Sequence, residues 1–276
     1  MPSARLNGID IYFERHGVEH TAAARQLLVC NGSGSTIEGS ALLIGYLSKH
    51  FDVLVHDQRC LGRTTVTEEA PTMADYAADA ASLVDHVGWT APRLFGISFG
   101  GMVALEFAAT WPEQVSRLAL LCTSAGGAGG SSFPLHTLTD LEPDERVRIS
   151  LRNIDSRFDG QWLADHPLDQ QIADAIIERI GAPRSERQRR GESLQLAARA
   201  DHDVWDRLHH ITAHTMIACG AYDGQAPPEN SDALHSRIAN STLHRYQGGH
   251  LFVFQDPTAL SEIVEFLKAD GTATKA

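Results

Sequence analysis

Short apolar runs recur along the chain with amphipathic stretches between them. "QLLVCN" (26–31), "FDVLVHD" (51–57), "RLFGI" (93–97), "SRLALLC" (116–122), "TMIACG" (215–220) and "STLHRYQ" (241–247) have the length and β-branched or aliphatic content of strands. Between them "TIEGSALLIGYLSKH", "TMADYAADAASLVDHVG", "FGGMVALEFAATWP" and "PENSDALHSRIA" repeat apolar residues at the i, i+3, i+4 spacing of a helix. "DPTALSEIVEFLKAD" reads as one more helix, started by Asp256-Pro257. At the other end, "ARLNGIDIYFERHG" alternates on both sides of Asn7-Gly8, a pair suited to a tight hairpin turn with positive φ. Strand and helix in alternation predict an α/β fold with a mostly parallel sheet covered on both faces.

The alternation stops between about Gly126 and Leu208. A glycine-rich exit, "GGAGGSSFPL", leads into a stretch that is helical and rich in arginine. An all-helical block between two sheet strands reads as a cap over the C-terminal edge of the sheet. The expected division is a core domain of residues 1–125 and 209–276 with a helical cap, or lid, of residues 126–208. Arg184, Arg187, Arg189 and Arg190 cluster there, and a solvated helix face is the expected role. No internal repeat or low-complexity tract interrupts the pattern.

Composition narrows the function classes. With 276 residues, 43% hydrophobic and 21% charged, the chain can bury one sizeable core. A formal net charge of −12 offers no electrostatic reason to approach nucleic acid or an anionic membrane. Cys30, Cys60, Cys122 and Cys219 form no CxxC pair, so neither a metal site nor a redox motif is expected. No apolar stretch approaches the roughly 20 residues of a membrane span, and "MPSARLNGIDIYFERHG" lacks a signal-peptide core, which makes the cytoplasm the expected compartment.

The candidate chemistry begins at "LFGISFGG", residues 94–101. Gly96-Ile97-Ser98-Phe99-Gly100 matches GxSxG, a pattern that is weak alone. Here it lies between a good strand and a good helix, the arrangement that forces a serine into a strained turn at the top of a sheet. Ser98 would then need a base, itself oriented by a carboxylate. Fourteen histidines are available, but His250 alone follows Gly248-Gly249 directly after the last strand. Asp223, in "GAYDGQAPP" after the strand before it, supplies the carboxylate. An oxyanion hole would pair the N–H of Phe99, at a helix N-terminus, with that of Ser33 in "VCNGSGS". A dinucleotide fingerprint beginning at Gly32-x-Gly34 is the competing reading, and Ile37 at the third glycine position speaks against it. Trp162, Phe252 and Phe254 are candidates for an apolar substrate pocket, with ordinary core packing as the alternative for each.

These motifs resemble the α/β-hydrolase family over nearly the whole chain: "NGSG", "HDQRCLGRT", "GISFGG", "GAYDGQAPP" and "GGHLFVFQDP". Members usually read HG where this chain has Asn31-Gly32, and RGxGxS where it has Arg59-Cys60-Leu61-Gly62-Arg63-Thr64. By that resemblance Ser98 is the nucleophile, His250 general base and then acid, and Asp223 its orienting partner. No cofactor is implied. Within the family the chain looks most similar to small bacterial esterases and lactonases, the 3-oxoadipate enol-lactonase group among them. The resemblance thus implies acyl transfer on a small ester or lactone, with activity rising with pH as His250 loses its proton. Carbon–carbon bond hydrolases of meta-cleavage type, proline iminopeptidases and perhydrolases share the motifs and remain open, as does a non-catalytic ligand sensor. A homo-oligomer also stays open.

Overall fold

Side chains along the central strands point by turns into two separate hydrophobic clusters. On β3 (Gln26–Cys30) and β4 (Asp52–His56), Leu28, Cys30 and Leu54 pack into one hydrophobic cluster, and Leu27, Val29, Val53 and Val55 into another. A strand covered on both faces must be apolar at every position, and that is why these segments read as continuous runs in the sequence. The computed structural model describes residues 2–269 of the chain, in which eight strands form one sheet. The remaining strands are β1 (Ser3–Leu6), β2 (Ile9–His16), β5 (Arg93–Ile97), β6 (Arg117–Leu121), β7 (His214–Gly220) and β8 (Ser241–Tyr246), and the spatial order is β1-β2-β4-β3-β5-β6-β7-β8. From β4 to β8 every neighbouring pair is parallel. The hairpin β1–β2 lies antiparallel at one edge, closed by Asn7 and Gly8 with φ of 47° and 76°, as the Asn-Gly pair predicts.

Helices α2 (Met73–His86), α3 (Phe99–Thr110) and α8 (Pro228–Arg237) cover one face. Their partners on the other are α1 (Ala41–Leu47), α9 (Phe252–Gln255) and α10 (Ala259–Lys268). Helix α2 is started by a reciprocal cap between Thr72 and Asp75, the sequence signal just ahead of its apolar pattern. Two details differ from expectation. The last helix begins at Ala259 rather than at Asp256-Pro257, because the Asp256 carboxylate turns back to accept from the Thr258 N–H and hydroxyl; its expected extension to Asp270 lies outside the described residues. Helix α9 was not anticipated, since four residues are too few to show a period.

Between β6 and β7 the chain forms α4 (Pro143–Ile154), α5 (Gly160–Asp165), α6 (Pro167–Gly181) and α7 (Glu186–Ala200), with no strand among them. Phe158, Leu163 and Ala173 give this insertion a small cluster of its own. The arginine-rich stretch does more than face solvent. Arg187 donates to the carbonyls of Gly62 and Thr64 at 2.6 Å each, and Arg190 to those of Thr67 and Glu68 at 3.2 Å. These side chains tie α7 to the loop after β4. No helix among the described residues is long and apolar enough to cross a membrane.

Candidate active site

Because β3, β5, β6, β7 and β8 run in the same direction, the loops leaving their C-terminal ends all emerge on one edge of the sheet. Each candidate residue sits on one of those loops. Ser98 follows β5 and holds φ 56°, ψ −119°, a conformation that costs a non-glycine residue on the order of 1–3 kcal/mol. The surroundings enforce it: the Ser98 N–H donates to the Leu121 carbonyl at 2.8 Å, and the Thr123 hydroxyl donates to the Ser98 carbonyl at 2.8 Å. A Cβ at Gly100 would stand 1.9 Å from the Cys30 carbonyl oxygen, and one at Gly96 would stand 2.5 Å from that of Gly100. Only hydrogen fits there, so the flanking glycines of GxSxG are packing requirements of the turn.

The structure brings Ser98, His250 and Asp223 into one hydrogen-bonded series. Nε2 of His250 lies 2.9 Å from Ser98 Oγ, and Nδ1 lies 2.8 Å from Asp223 Oδ2. All three side chains are buried. The other Asp223 oxygen accepts from the backbone N–H groups of Gln225 and Ala226, both at 2.8 Å, which fixes the carboxylate toward the imidazole. With Nδ1–H held by Asp223, Nε2 keeps a lone pair for the serine proton. Cys122 Sγ also lies near, within 4.8 Å of both His250 and Asp223 ligand atoms. Burial raises its thiol well above the ordinary range and it donates to the His250 carbonyl at 3.2 Å. A protonated thiol beside a carboxylate and imidazole already bonded to each other suits proton transfer and does not suit a metal ion.

Sequence reasoning missed two glutamines. The Gln225 amide nitrogen lies 2.7 Å from His250 Nε2 and 3.4 Å from Ser98 Oγ, so its donor shares the lone pair that receives the serine proton. Gln255 links the histidine loop to the insertion. Its Oε1 accepts from the Gly249 N–H at 2.8 Å, while Nε2 donates to Asp155 at 3.0 Å and to Asp169 at 2.9 Å. The His250 N–H donates to the Ile154 carbonyl, also in the insertion, and a Cβ at Gly249 would stand 1.9 Å from that oxygen. The only local hint was the Asp-x-Gln spacing of Asp223 and Gln225, which permits an aspartate-capped turn.

The Ser33 loop passes beside the nucleophile: a Cβ at Gly32 would stand 3.6 Å from Ser98 Cβ. Phe99 opens α3 directly after Ser98, its side chain fully buried. Asn31, where a histidine was expected, is buried with neither side-chain polar atom bonded. The proposed substrate aromatics are placed differently from expectation. Phe252 is fully buried beneath the sheet, stacked on Tyr246 with centroids 5.1 Å apart, so it is a core residue. Trp162 stacks on His166 at 3.7 Å, lies under the Arg157 guanidinium at 4.2 Å and donates to Asp169 at 2.7 Å, which makes it a packing element of the insertion. Phe254 is 40% exposed.

Residues 26–257 match the family model described as the alpha/beta hydrolase fold, and the chain belongs to that family. A poly(3-hydroxyalkanoate) depolymerase from Ectopseudomonas oleovorans is 27% identical over 247 residues, covering 88% of this chain and 84% of the relative. Among solved structures, the enol-lactonase from Burkholderia xenovorans LB400 superposes with a TM-score of 0.78 at 20% identity, covering 97% of this chain and all, 100%, of that one. A meta-cleavage product hydrolase from Pseudomonas fluorescens IP01 superposes with a TM-score of 0.71 at 20% identity, covering 96% and 97%. The chain accordingly belongs to the α/β-hydrolase family, and its fold is shared with solved structures of an enol-lactonase, an esterase and a meta-cleavage product hydrolase.

Proposed function

We propose that the protein is a serine hydrolase that cleaves a small carboxylic ester or lactone through an acyl-enzyme. The observation that carries this reading is the unbroken series from Ser98 Oγ through His250 to Asp223, at 2.9 and 2.8 Å, on a serine held at φ 56°. Ser98 Oγ attacks the carbonyl carbon as its proton passes to His250 Nε2. The oxyanion is held by the backbone N–H groups of Ser33 and Phe99, a pair whose members are worth roughly 2.7–4 kcal/mol each in comparable sites. His250 returns the proton to the leaving alkoxide, then takes one from water as water attacks the acyl-serine, and gives it to Ser98 Oγ as that oxygen is expelled and the acid leaves. Asp223 keeps Nδ1 protonated and stabilises the imidazolium formed at each step. Residues 126–208 act as a cap: Ile154 and Gln255 couple them to the histidine loop, and Gln195 of α7 accepts the Gly34 N–H at 2.7 Å. The depolymerase relative, by its name a polyester hydrolase, supports ester chemistry.

The test is labelling by a fluorophosphonate probe together with turnover of 4-nitrophenyl acetate. Both should be present in the native protein and absent in Ser98→Ala. Labelling without ester turnover, combined with hydrolysis of a vinylogous diketone ring-cleavage product, would move the substrate class to carbon–carbon hydrolysis and leave Ser98 as the nucleophile. No labelling and no turnover would leave the sensor reading standing.

A further inference from the structure

Nε2 of His250 has one lone pair, and two groups reach it. Ser98 Oγ stands at 2.9 Å and the Gln225 amide nitrogen at 2.7 Å, with 3.4 Å between that nitrogen and Oγ. Nδ1 carries the proton given to Asp223 at 2.8 Å, so in the neutral ring Nε2 is an acceptor only. An amide oxygen turned toward it would set two lone pairs face to face, which assigns the nitrogen to this side. The amide N–H therefore takes the lone pair that the serine hydroxyl needs in order to be activated.

The same point in space is used by both halves of the reaction. A base works within roughly 2.6–3.2 Å of the atom whose proton it moves, so the leaving-group oxygen in acylation and the attacking water in deacylation must each stand that close to Nε2. Both must also lie beside Oγ, because each is bonded to, or attacks, the carbon that Oγ holds. At 2.7 Å from Nε2 and 3.4 Å from Oγ, the Gln225 nitrogen fills that position. It cannot remain there once Nε2 is protonated, since two donors would then face each other.

The backbone of Gln225 is anchored while its side chain is not. Its N–H donates to Asp223 Oδ1 at 2.8 Å, and its carbonyl accepts from the Phe133 N–H at 2.7 Å, at the start of the insertion. A Cβ at the preceding Gly224 would stand 2.5 Å from the Arg152 carbonyl oxygen, so that side is closed as well. With the main chain held on three sides, the amide can leave Nε2 only by a change of side-chain rotamer.

Resting on the serine-hydrolase reading above, we propose that Gln225 is a plug in the resting site. Its amide occupies the place of the leaving-group oxygen and of the attacking water, caps the base, and is turned aside by the substrate. Attack by Ser98 begins only after the N–H···Nε2 bond is given up, so part of the binding free energy of the ester goes into breaking it. An apolar side chain at this position would leave the lone pair to the serine; the glutamine contests it.

Gln225→Ala empties the position, and Gln225→Asn keeps the amide but stops one methylene short of Nε2. Both should react faster than the native protein with a fluorophosphonate and show a higher kcat/KM for 4-nitrophenyl acetate, by roughly twofold to tenfold, the fold-change that one neutral hydrogen bond represents. Rates equal to or below native in both variants overturn the proposal, and a merely structural glutamine would give that result together with a lower Tm. The bond itself is read without turnover. In protein labelled with the heavy nitrogen isotope, a nuclear magnetic coupling across the N–H···N bond should connect the Gln225 amide nitrogen to His250 Nε2. It should persist in Ser98→Ala, where the hydroxyl no longer competes, and vanish in Gln225→Ala. Absence of the coupling from both the native protein and Ser98→Ala overturns the plug whether or not the protein cleaves an ester. If no form of the protein is labelled or turns over ester, the hydrolase reading fails instead, and the coupling alone decides whether the amide caps His250.

Discussion

The groups that would carry out the chemistry and the buried polar groups beside them are finished to different degrees. Asp223, His250 and Ser98 form a closed series in which both Asp223 oxygens and both imidazole nitrogens have partners. Asn31 and Ser33, on the loop beside Ser98, and Gln195, bonded to that loop, carry buried polar atoms with no partner among the described residues. A satisfied network resists rearrangement and preserves a reactive geometry, whereas an unsatisfied one leaves buried polar atoms uncompensated at a cost in stability. The difference separates the part of the site whose geometry is fixed by its own bonds from the part whose polar atoms are held only by packing.

The sharpest way to break the comparison is on the reactive side. Ser98→Ala should lower kcat by roughly 10⁴-fold or more, and Asp223→Asn by about 10⁴-fold through the wrong imidazole tautomer, with little loss of Tm in either. Steady-state kinetics on the preferred ester checks both; a kcat within tenfold of native for Ser98→Ala removes it as nucleophile.

Next in size is the core beneath the site. Phe252→Ala empties a fully buried position and should cost about 3–5 kcal/mol in denaturant unfolding, whereas KM for small esters stays near its native value. A selective rise in KM with stability intact would restore Phe252 to the substrate pocket.

The histidine at the junction of the insertion and β7 should show itself in acid. Burial pushes His202 down to about 4, so between that value and its ordinary 6.5 the unfolded chain binds a proton that the folded chain does not. Stability therefore falls as pH drops through that window, by on the order of 3 kcal/mol, and is unaffected by this group above it. Urea unfolding from pH 7 to 4 measures the loss, and His202→Gln should flatten part of it.

The smallest expected effect tests the link between the two sides. Gln255→Leu removes the acceptor of the Gly249 N–H and the donor to Asp155 and Asp169, and should lower kcat/KM by about tenfold through a misplaced His250. Labelling of Ser98 should persist. An unchanged kcat/KM would mean that the Ile154 carbonyl alone seats the loop.

Much of the molecule was legible because its signals are local. Leu27, Leu28 and Val29 announce a doubly covered strand by being apolar in succession, and Asn7-Gly8 announces its turn by tolerating positive φ. Gly96 is required by the helix that follows Ser98, through the Gly100 carbonyl and Ala104, whereas Gly100 is required by the distant backbone of Cys30 and Asn31, so only the first half of the motif is explained locally. The misread residues depend on distant partners. Phe252 and Phe254 differ by two positions and are both phenylalanine, yet one is in the core and the other at the surface because α9 turns them apart. Arg187 reads as a solvent-facing charge until Gly62 and Thr64 are placed beside it.

By itself the sequence determined the alternation of strand and helix, the glycine-flanked serine, and the order in which serine, aspartate and histidine follow successive strands. Those properties reside in backbone preferences and in side-chain volume over a few residues. Only the tertiary structure decided that Gln225 shares the imidazole lone pair, that Gln255 joins the insertion to the histidine loop, and that Arg199 is buried with no carboxylate beside it among the described residues. Whether a charge has a counter-charge is settled by atoms brought within about 3 Å from loops far apart in the chain, a quantity no local pattern encodes.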